Sequence, residues 1–325
     1  MQAELEGKDI VIFESLYNEK AEVIATHNDI DDKGQELVVP KIRTTLTDQK
    51  TGTHMAYPEE KTTLVDTVTY KNLIAGKKYV MSGTLMRQDN GEPLLDEKGN
   101  KITASKEFTA DDSGSGTVDI VFTFNAALLK LQGETVVAFE ECVPSDGKIP
   151  VGVHADIKDE GQTVRFPKAK TKVSKSEWKN TDTISLTDTI SYSNFVTDGG
   201  TYVARGWLVD MSGKQVANVQ AETEFTPTSA DGTVDVKFAD FSASGLSGKY
   251  VVFEEIYYKK TGKDGKVSLI LIAEHKDTGD SDQTITVTTV PKTGDELPII
   301  PLAVAMTLAF IGAVVVVIKK RRTDR

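Results

Sequence analysis

A chain of 325 residues has room for two domains of ordinary size with further segments around them. Its 38 basic and 49 acidic residues give a net charge of −11 with no basic patch before the extreme C-terminus, which argues against nucleic acid as a partner. A single cysteine, Cys142, excludes an internal disulfide. At the end of an apolar run and beside acidic neighbours, it reads as a core residue rather than a reactive thiol. Short runs rich in Val, Ile, Thr, Tyr and Phe, broken by Gly, Asn, Asp and Ser clusters, predict an all-β protein.

Residues 1–8 are polar and acidic, without the apolar core of an export signal. An apolar run, IVIFES at residues 10–15, places Glu14 near its end, and His27, Asp29, Asp32 and Gln35 then spell HxDxxDxxQ. In a strand continuing from that point Gln35, Leu37 and Val39 share one face. A neutral amide therefore lies among apolar side chains, where it needs a hydrogen-bond partner. Residues 1–38 hold only the end of a unit, cannot close a sandwich unaided and are expected to pack poorly.

Pro40 opens a complete unit, taken as residues 39–166. Its first strand sets Ile42, Thr44 and Leu46 against Arg43, Thr45 and Thr47. LVDTVTY (64–70) reads as strand and core, with Tyr70 packing rather than catalysing. VVAFEE (136–141) carries Glu140, and His154, Asp156, Asp159 and Gln162 repeat the HxDxxDxxQ spacing, with Gln162, Val164 and Phe166 on one face. Pro167 opens the next unit, residues 167–289, in the same order. Ala169, Thr171 and Val173 share a face; LTDTISY ends on Tyr192; YVVFEE carries Glu254; and His275, Asp277, Asp280 and Gln283 repeat the motif a third time.

Self-comparison selects what recurs. Thr44 aligns with Thr171, both on the apolar face of a first strand, whereas Thr45 has a lysine as its counterpart. Glu14, Glu140 and Glu254 are the acidic residues present in all three copies. A carboxylate closing a doubly apolar strand is desolvated, and its pKa rises. Asp29, Asp156 and Asp277 fit turn formation. Of the four histidines only His54 stands outside the motif.

The C-terminus predicts an address. Residues 299–318, beginning at Ile299 and ending at Ile318, are 20 almost wholly apolar residues followed by Lys319, Lys320, Arg321 and Arg322, as in a membrane span with a cytoplasmic basic end. VPKTG stands directly before it, and pentapeptide, span and basic tail together resemble the cell-wall sorting signal of Gram-positive surface proteins. The resemblance implies a sortase cut between Thr293 and Gly294 that links Thr293 to peptidoglycan. Val290 replaces the usual Leu of such signals. A sorting signal without an export signal leads to the expectation that the chain is the C-terminal part of a longer protein, with any host-surface ligand bound further upstream.

The VAFE-like strand, the threonine of the PKxxT start and the HxDxxDxxQ end resemble the Thr-Gln ester-bond domains, or VaFE repeats, of Gram-positive surface adhesins. The resemblance spans residues 1–288 and implies tandem Ig-like (CnaB-like) β-sandwiches followed by one transmembrane helix. It further implies autocatalytic esters joining Thr44 to Gln162 and Thr171 to Gln283, with loss of ammonia. His154 or His275 is the candidate base. Glu140 with Asp159, and Glu254 with Asp280, are the expected proton-sharing pairs. Glu14, His27, Asp32 and Gln35 form an incomplete site. Each site acts once, so the chain is expected to be a structural stalk rather than an enzyme, with no cofactor or metal. The alternatives are a surface hydrolase using Thr, His and Asp, and a calcium-stabilised sandwich without cross-links. The calcium reading falters at Lys158, which interrupts the oxygen ligands of the 156–161 loop.

Overall fold

The computed structural model describes residues 5–291. The leading segment forms four short strands, β1 (Asp9–Val11), β2 (Glu14–Tyr17), β3 (Val23–His27) and β4 (Glu36–Val38). They pair only as β1 with β4 and β2 with β3, leaving Ile12, Phe13, Leu16, Tyr17 and Leu37 exposed. The poor packing expected of this segment is observed, because a lone two-stranded ribbon buries neither of its faces.

The first repeat contains β5 (Lys41–Asp48), β6 (Thr62–Lys71), β7 (Lys78–Arg87), β8 (Thr103–Thr109), β9 (Gly116–Phe124), β10 (Thr135–Pro144), β11 (Gly152–His154) and β12 (Thr163–Arg165). One sheet has the order β5-β6-β9. The other runs β11-β10-β7-β8, with β12 also on β10. Alternation decides the inner face: Ile42, Thr44, Leu46 and Asp48 are buried along β5, as are Leu64, Asp66, Val68 and Tyr70 along β6. The two inner faces close one core that includes Leu46, Phe122, Val136 and Cys142. Cys142 is fully buried and its thiol is pushed up to about 12 by burial, as suits a core residue.

The second repeat contains β13 (Lys168–Val173), β14 (Glu177–Lys179), β15 (Thr183–Ile184), β16 (Thr187–Ser193), β17 (Tyr202–Asp210), β18 (Gln215–Phe225), β19 (Gly232–Lys237), β20 (Phe241–Ser242), β21 (Gly248–Thr261), β22 (Val267–His275) and β23 (Thr284–Thr288). The order β13-β16-β19 packs against β14-β23-β21-β17-β18, with β22 also on β21 and a small β15-β20 pair beside them.

A gap in the edge pairing shapes both repeats. β12 pairs Thr135 to Val137 of β10, and β11 pairs Glu140 to Cys142 of the same strand. The ladder is therefore interrupted at Ala138 and Phe139. On β21, β23 stops at Val251 and β22 begins at Glu254, so Val252 lies in the equivalent gap.

Among the described residues no helix is long and apolar enough to cross a membrane. The expected span at 299–318 and the expected cut between Thr293 and Gly294 lie outside the described residues.

Candidate functional site

The recurring glutamines fill the interrupted ladders. Gln162 is fully buried, and its Nε2 donates to Ala138 O at 2.7 Å, to Glu140 Oε2 at 2.7 Å and to His154 O at 3.2 Å. Gln283 makes the same set, to Val252 O at 2.7 Å, Glu254 Oε2 at 2.6 Å and His275 O at 3.4 Å. The side-chain amide thus replaces a missing backbone donor, which answers the demand of a buried amide for a partner. Both glutamine Oε1 atoms are buried, with no donor among the described residues. The expected strand starts one residue later than the glutamine: Gln162 ends a 3-10 turn, Glu160–Gln162, capped by the Asp159 side chain on Gly161 N. Gln283 likewise precedes β23.

The threonines arrive from the facing sheet. Thr171 Oγ1 donates to Glu254 Oε2 at 3.1 Å and lies 3.5 Å from His275 Nδ1. Thr44 is likewise buried on β5, and among the described residues neither its hydroxyl nor His154 Nδ1 has a hydrogen-bond partner. A Cβ on Gly161, beside Gln162, would stand 3.3 Å from Thr44 O, so the two segments are in close contact.

Each histidine is held from its far side. His154 Nε2 lies 3.0 Å from Asp159 Oδ2 and His275 Nε2 lies 3.3 Å from Asp280 Oδ2. An aspartate at Nε2 favours the tautomer whose Nδ1 is an acceptor, the atom nearest the threonine in the second repeat. Burial, with the nearby Arg43 charge, holds His154 below its usual pKa and keeps the ring neutral.

This placement corrects the expected carboxylate pairs. Asp159 and Asp280 orient histidines; the carboxyl groups facing Glu140 and Glu254 belong to Asp66 and Asp188. Asp66 is fully buried on β6, and Asp188 is fully buried on β16. Among the described residues no N–H or O–H is seated on either oxygen of Asp66 or on Oε1 of Glu140 or Glu254, and the Thr171 hydroxyl lies beside Asp188 as well as on Glu254. Within each pair the aspartate lies beside the glutamate and raises it, and two buried carboxyl groups so placed share a proton more readily than both ionise. Burial raises Glu140 and Glu254 well above the usual carboxylate range, and the aspartate beside each raises them further. Asp66 and Asp188 are also raised, chiefly by burial.

LVDTVTY and LTDTISY read in sequence as strand and core, a pattern that gives their two aspartates no role. The signal was available: an acidic residue occupies an inward position of an alternating strand in both repeats. Tyr70 and Tyr192 pack in the cores as expected.

Glycine gives the glutamates their cover. Gly83 lies directly across from Glu140, and Gly206 across from Glu254. A Cβ on Gly83 would come within 2.6 Å of Phe122 Cζ, and one on Gly206 within 3.1 Å of Phe238 Cζ. The missing side chain admits an aromatic ring from the facing sheet beside each buried carboxyl.

The leading segment keeps part of the constellation, with His27 Nε2 2.8 Å from Asp32 Oδ2 and Gln35 Nε2 3.5 Å from His27 O. Glu14, His27 and Gln35 recur there, and Glu14 and His27 are exposed. Asp29, Asp156 and Asp277 each accept a backbone N–H two residues on, as expected of turn residues.

Comparison with solved structures finds two crystal forms of a bacterial adhesin from Mobiluncus mulieris containing intramolecular disulfide, isopeptide and ester bond cross-links. One is 15% identical, covering 66% of this chain and 80% of that one with a TM-score of 0.32. The other is 14% identical, covering 77% and 98% with a TM-score of 0.34. Red sea bream transglutaminase is 11% identical, covering 80% and 32% with a TM-score of 0.25. Likeness of this degree carries no information about function. No curated protein sequence matches the chain. The domain family described as "T-Q ester bond containing domain" matches three stretches, residues 1–39, 40–166 and 168–287. These stretches take in nearly the whole chain up to the C-terminal tail, and the chain belongs to the T-Q ester bond containing domain family.

Proposed function

We propose that each complete repeat closes one intramolecular ester, Thr44 to Gln162 and Thr171 to Gln283, and that the chain is a stalk of a wall-anchored bacterial surface adhesin. The observation that carries the reading is at Glu254: its Oε2 accepts both the Thr171 hydroxyl and the Gln283 amide, so nucleophile and electrophile meet at one oxygen.

The chemistry follows from that placement. An amide is a poor electrophile and a hydroxyl a poor nucleophile, so both need help within hydrogen-bond reach. Thr171 Oγ1 attacks Gln283 Cδ while its proton passes to His275 Nδ1. Negative charge then gathers on Gln283 Oε1, which is buried beside Glu254. The proton shared by Asp188 and Glu254 is the nearby source that can neutralise that charge or reach the departing nitrogen. The C–N bond breaks, ammonia leaves with the threonine proton, and the ester remains. Thr44, His154, Asp66, Glu140 and Gln162 take the same parts in the first repeat.

The product stays attached, so each site turns over once. Burial of the site keeps water from the ester. A hydrolase would need the site open to an external substrate, whereas Thr171 and Gln283 are both buried beneath the sheets.

Attachment is the finer part of the proposal. A sortase would cut between Thr293 and Gly294 and pass the chain to peptidoglycan, after transient membrane retention by residues 299–318. Any host-surface ligand would be bound outside the repeats.

Intact mass tests the cross-links. The protein should be two ammonia molecules short of its sequence mass, and Thr44→Ala should restore one of them. A full sequence mass after complete maturation would sink the proposal.

A further inference from the structure

One buried side chain belongs to the wrong repeat. Met55 lies between β5 and β6 of the first repeat, yet it is fully buried in the core of the second, with Phe195 and Tyr202. Its Sδ accepts Val196 N at 3.3 Å and Tyr202 Oη at 3.7 Å.

The first repeat shows what the same place is like without such a visitor. Asn72, Leu73 and Ile74 correspond to Asn194, Phe195 and Val196, and both asparagines adopt positive φ, 61° and 65°. There Ile74 N donates directly to Tyr79 Oη at 3.0 Å, and Ile74 is 65% exposed. In the second repeat the corresponding N–H and hydroxyl are bridged by the Met55 sulfur, and Val196 packs on the core. Methionine suits the task, since an unbranched, polarisable thioether fits an irregular aromatic site and takes weak hydrogen bonds.

The key is held firmly by its own repeat. Thr51 Oγ1 donates to Met55 O at 2.8 Å, and Ala56 N donates to Arg165 O at 3.0 Å, tying the loop to β12. Polar contacts surround the apolar contact. Asn194 Nδ2 donates to Glu134 O at 2.8 Å, Lys260 Nζ to Lys50 O at 2.8 Å and Gln132 Nε2 to Glu274 O at 3.2 Å. Met55 bridges Arg165, three residues after Gln162, whereas Glu177 stands opposite Thr286, three residues after Gln283. The second repeat thus presents an exposed glutamate at the register where the first presents its key.

We propose that Met55 is an inter-repeat key: its thioether completes the core of the following repeat, so the second repeat takes both its stability and its orientation from the first. The coupling is independent of the ester bonds, since it needs only the Met55 side chain and the socket formed by Phe195, Val196 and Tyr202.

Both tryptophans, Trp178 and Trp207, lie in the second repeat, so tryptophan emission reports that repeat alone. In the full chain Met55→Ala should lower the emission-monitored unfolding midpoint by about 5–10 °C. Met55→Leu, which keeps the volume, should restore most of it. Amide exchange in β7 and β10 should stay unchanged in both variants, because Met55 is not part of the first repeat's core. An unchanged midpoint in Met55→Ala overturns the proposal. So does loss of protection in β7 and β10, which would place the damage inside the first repeat.

Discussion

Asp66 and Glu140 lie beside each other inside the first sandwich, one from each sheet and both almost fully withdrawn from solvent. Two acids in such a place keep a proton between them, because ionising both would leave two adjacent charges in a medium of low dielectric. Asp188 and Glu254 repeat the relationship in the second repeat.

The shared proton makes Asp66 testable by a change of one atom. Asp66→Asn should slow loss of ammonia in the first repeat by about 10²-fold or more while the second repeat matures normally. Time-resolved intact mass after synthesis reads both sites at once. Maturation at the native rate in this variant would remove Asp66 from the mechanism.

Histidine is the second point of attack. His275→Ala leaves Thr171 bonded to Glu254 but removes the acceptor at Nδ1, and ester formation in the second repeat should fall by about 10²- to 10⁴-fold. Peptide mapping across Thr171 and Gln283 distinguishes the linked from the unlinked form. Rapid linkage without the ring would mean that Glu254 accepts the proton itself.

Stability of the unlinked protein should depend on pH with a definite sign. In Thr44→Ala/Thr171→Ala, burial still holds Glu140 up to about 10 and raises Glu254, Asp66 and Asp188. The folded state keeps protons that the unfolded chain releases above about pH 4, so this contribution is full below that pH and is lost as pH rises through the folded values. His154 acts in the opposite sense, since its lowered pKa disfavours the folded state only when pH falls below about 6.5. Between about pH 7 and 9 the raised acids therefore decide the trend, with Cys142 adding to it. Urea midpoints should fall across that interval; a rise would contradict the buried protonated pairs.

Packing over the glutamates predicts an asymmetry between the repeats. Gly83→Ala sets a methyl group 2.6 Å from Phe122 Cζ and should cost about 1–3 kcal/mol, whereas Gly206→Ala, at 3.1 Å from Phe238 Cζ, should cost less. Chemical denaturation of each variant in the unlinked background gives the comparison. Equal losses would show that the two rings yield equally.

Force should separate linked from unlinked repeats. With the ester formed, load entering at Thr44 passes directly to Gln162, and the chain between them stays unloaded. Thr44→Ala should add an unfolding step of about 400 Å in single-molecule stretching, set by the extended length of the released segment. The linked protein should lack that step.

Much of the site was legible because its code is local. Thr44 and Thr171 stand at inward positions of alternating strands, Gln162 and Gln283 stand buried just ahead of one, and parity is a property of a few consecutive residues. Recurrence then singled out Glu140 and Glu254, and the fixed motif spacing brought His154 to Asp159 and His275 to Asp280. The same parity also marks Asp66 and Asp188, but along a single strand an inward aspartate is indistinguishable from a satisfied core residue.

The sequence by itself determined the all-β character, the repeat and the residue types of the candidate site, since alternation and recurrence are written along one strand at a time. Only the tertiary structure decided which acids share a proton, because Asp66 and Glu140 come from opposite sheets and their contact depends on sheet packing rather than on spacing. It also decided the place of Met55. Nothing local to a polar loop reveals that its one thioether fills another repeat's core, for that burial exists only once two folded units meet.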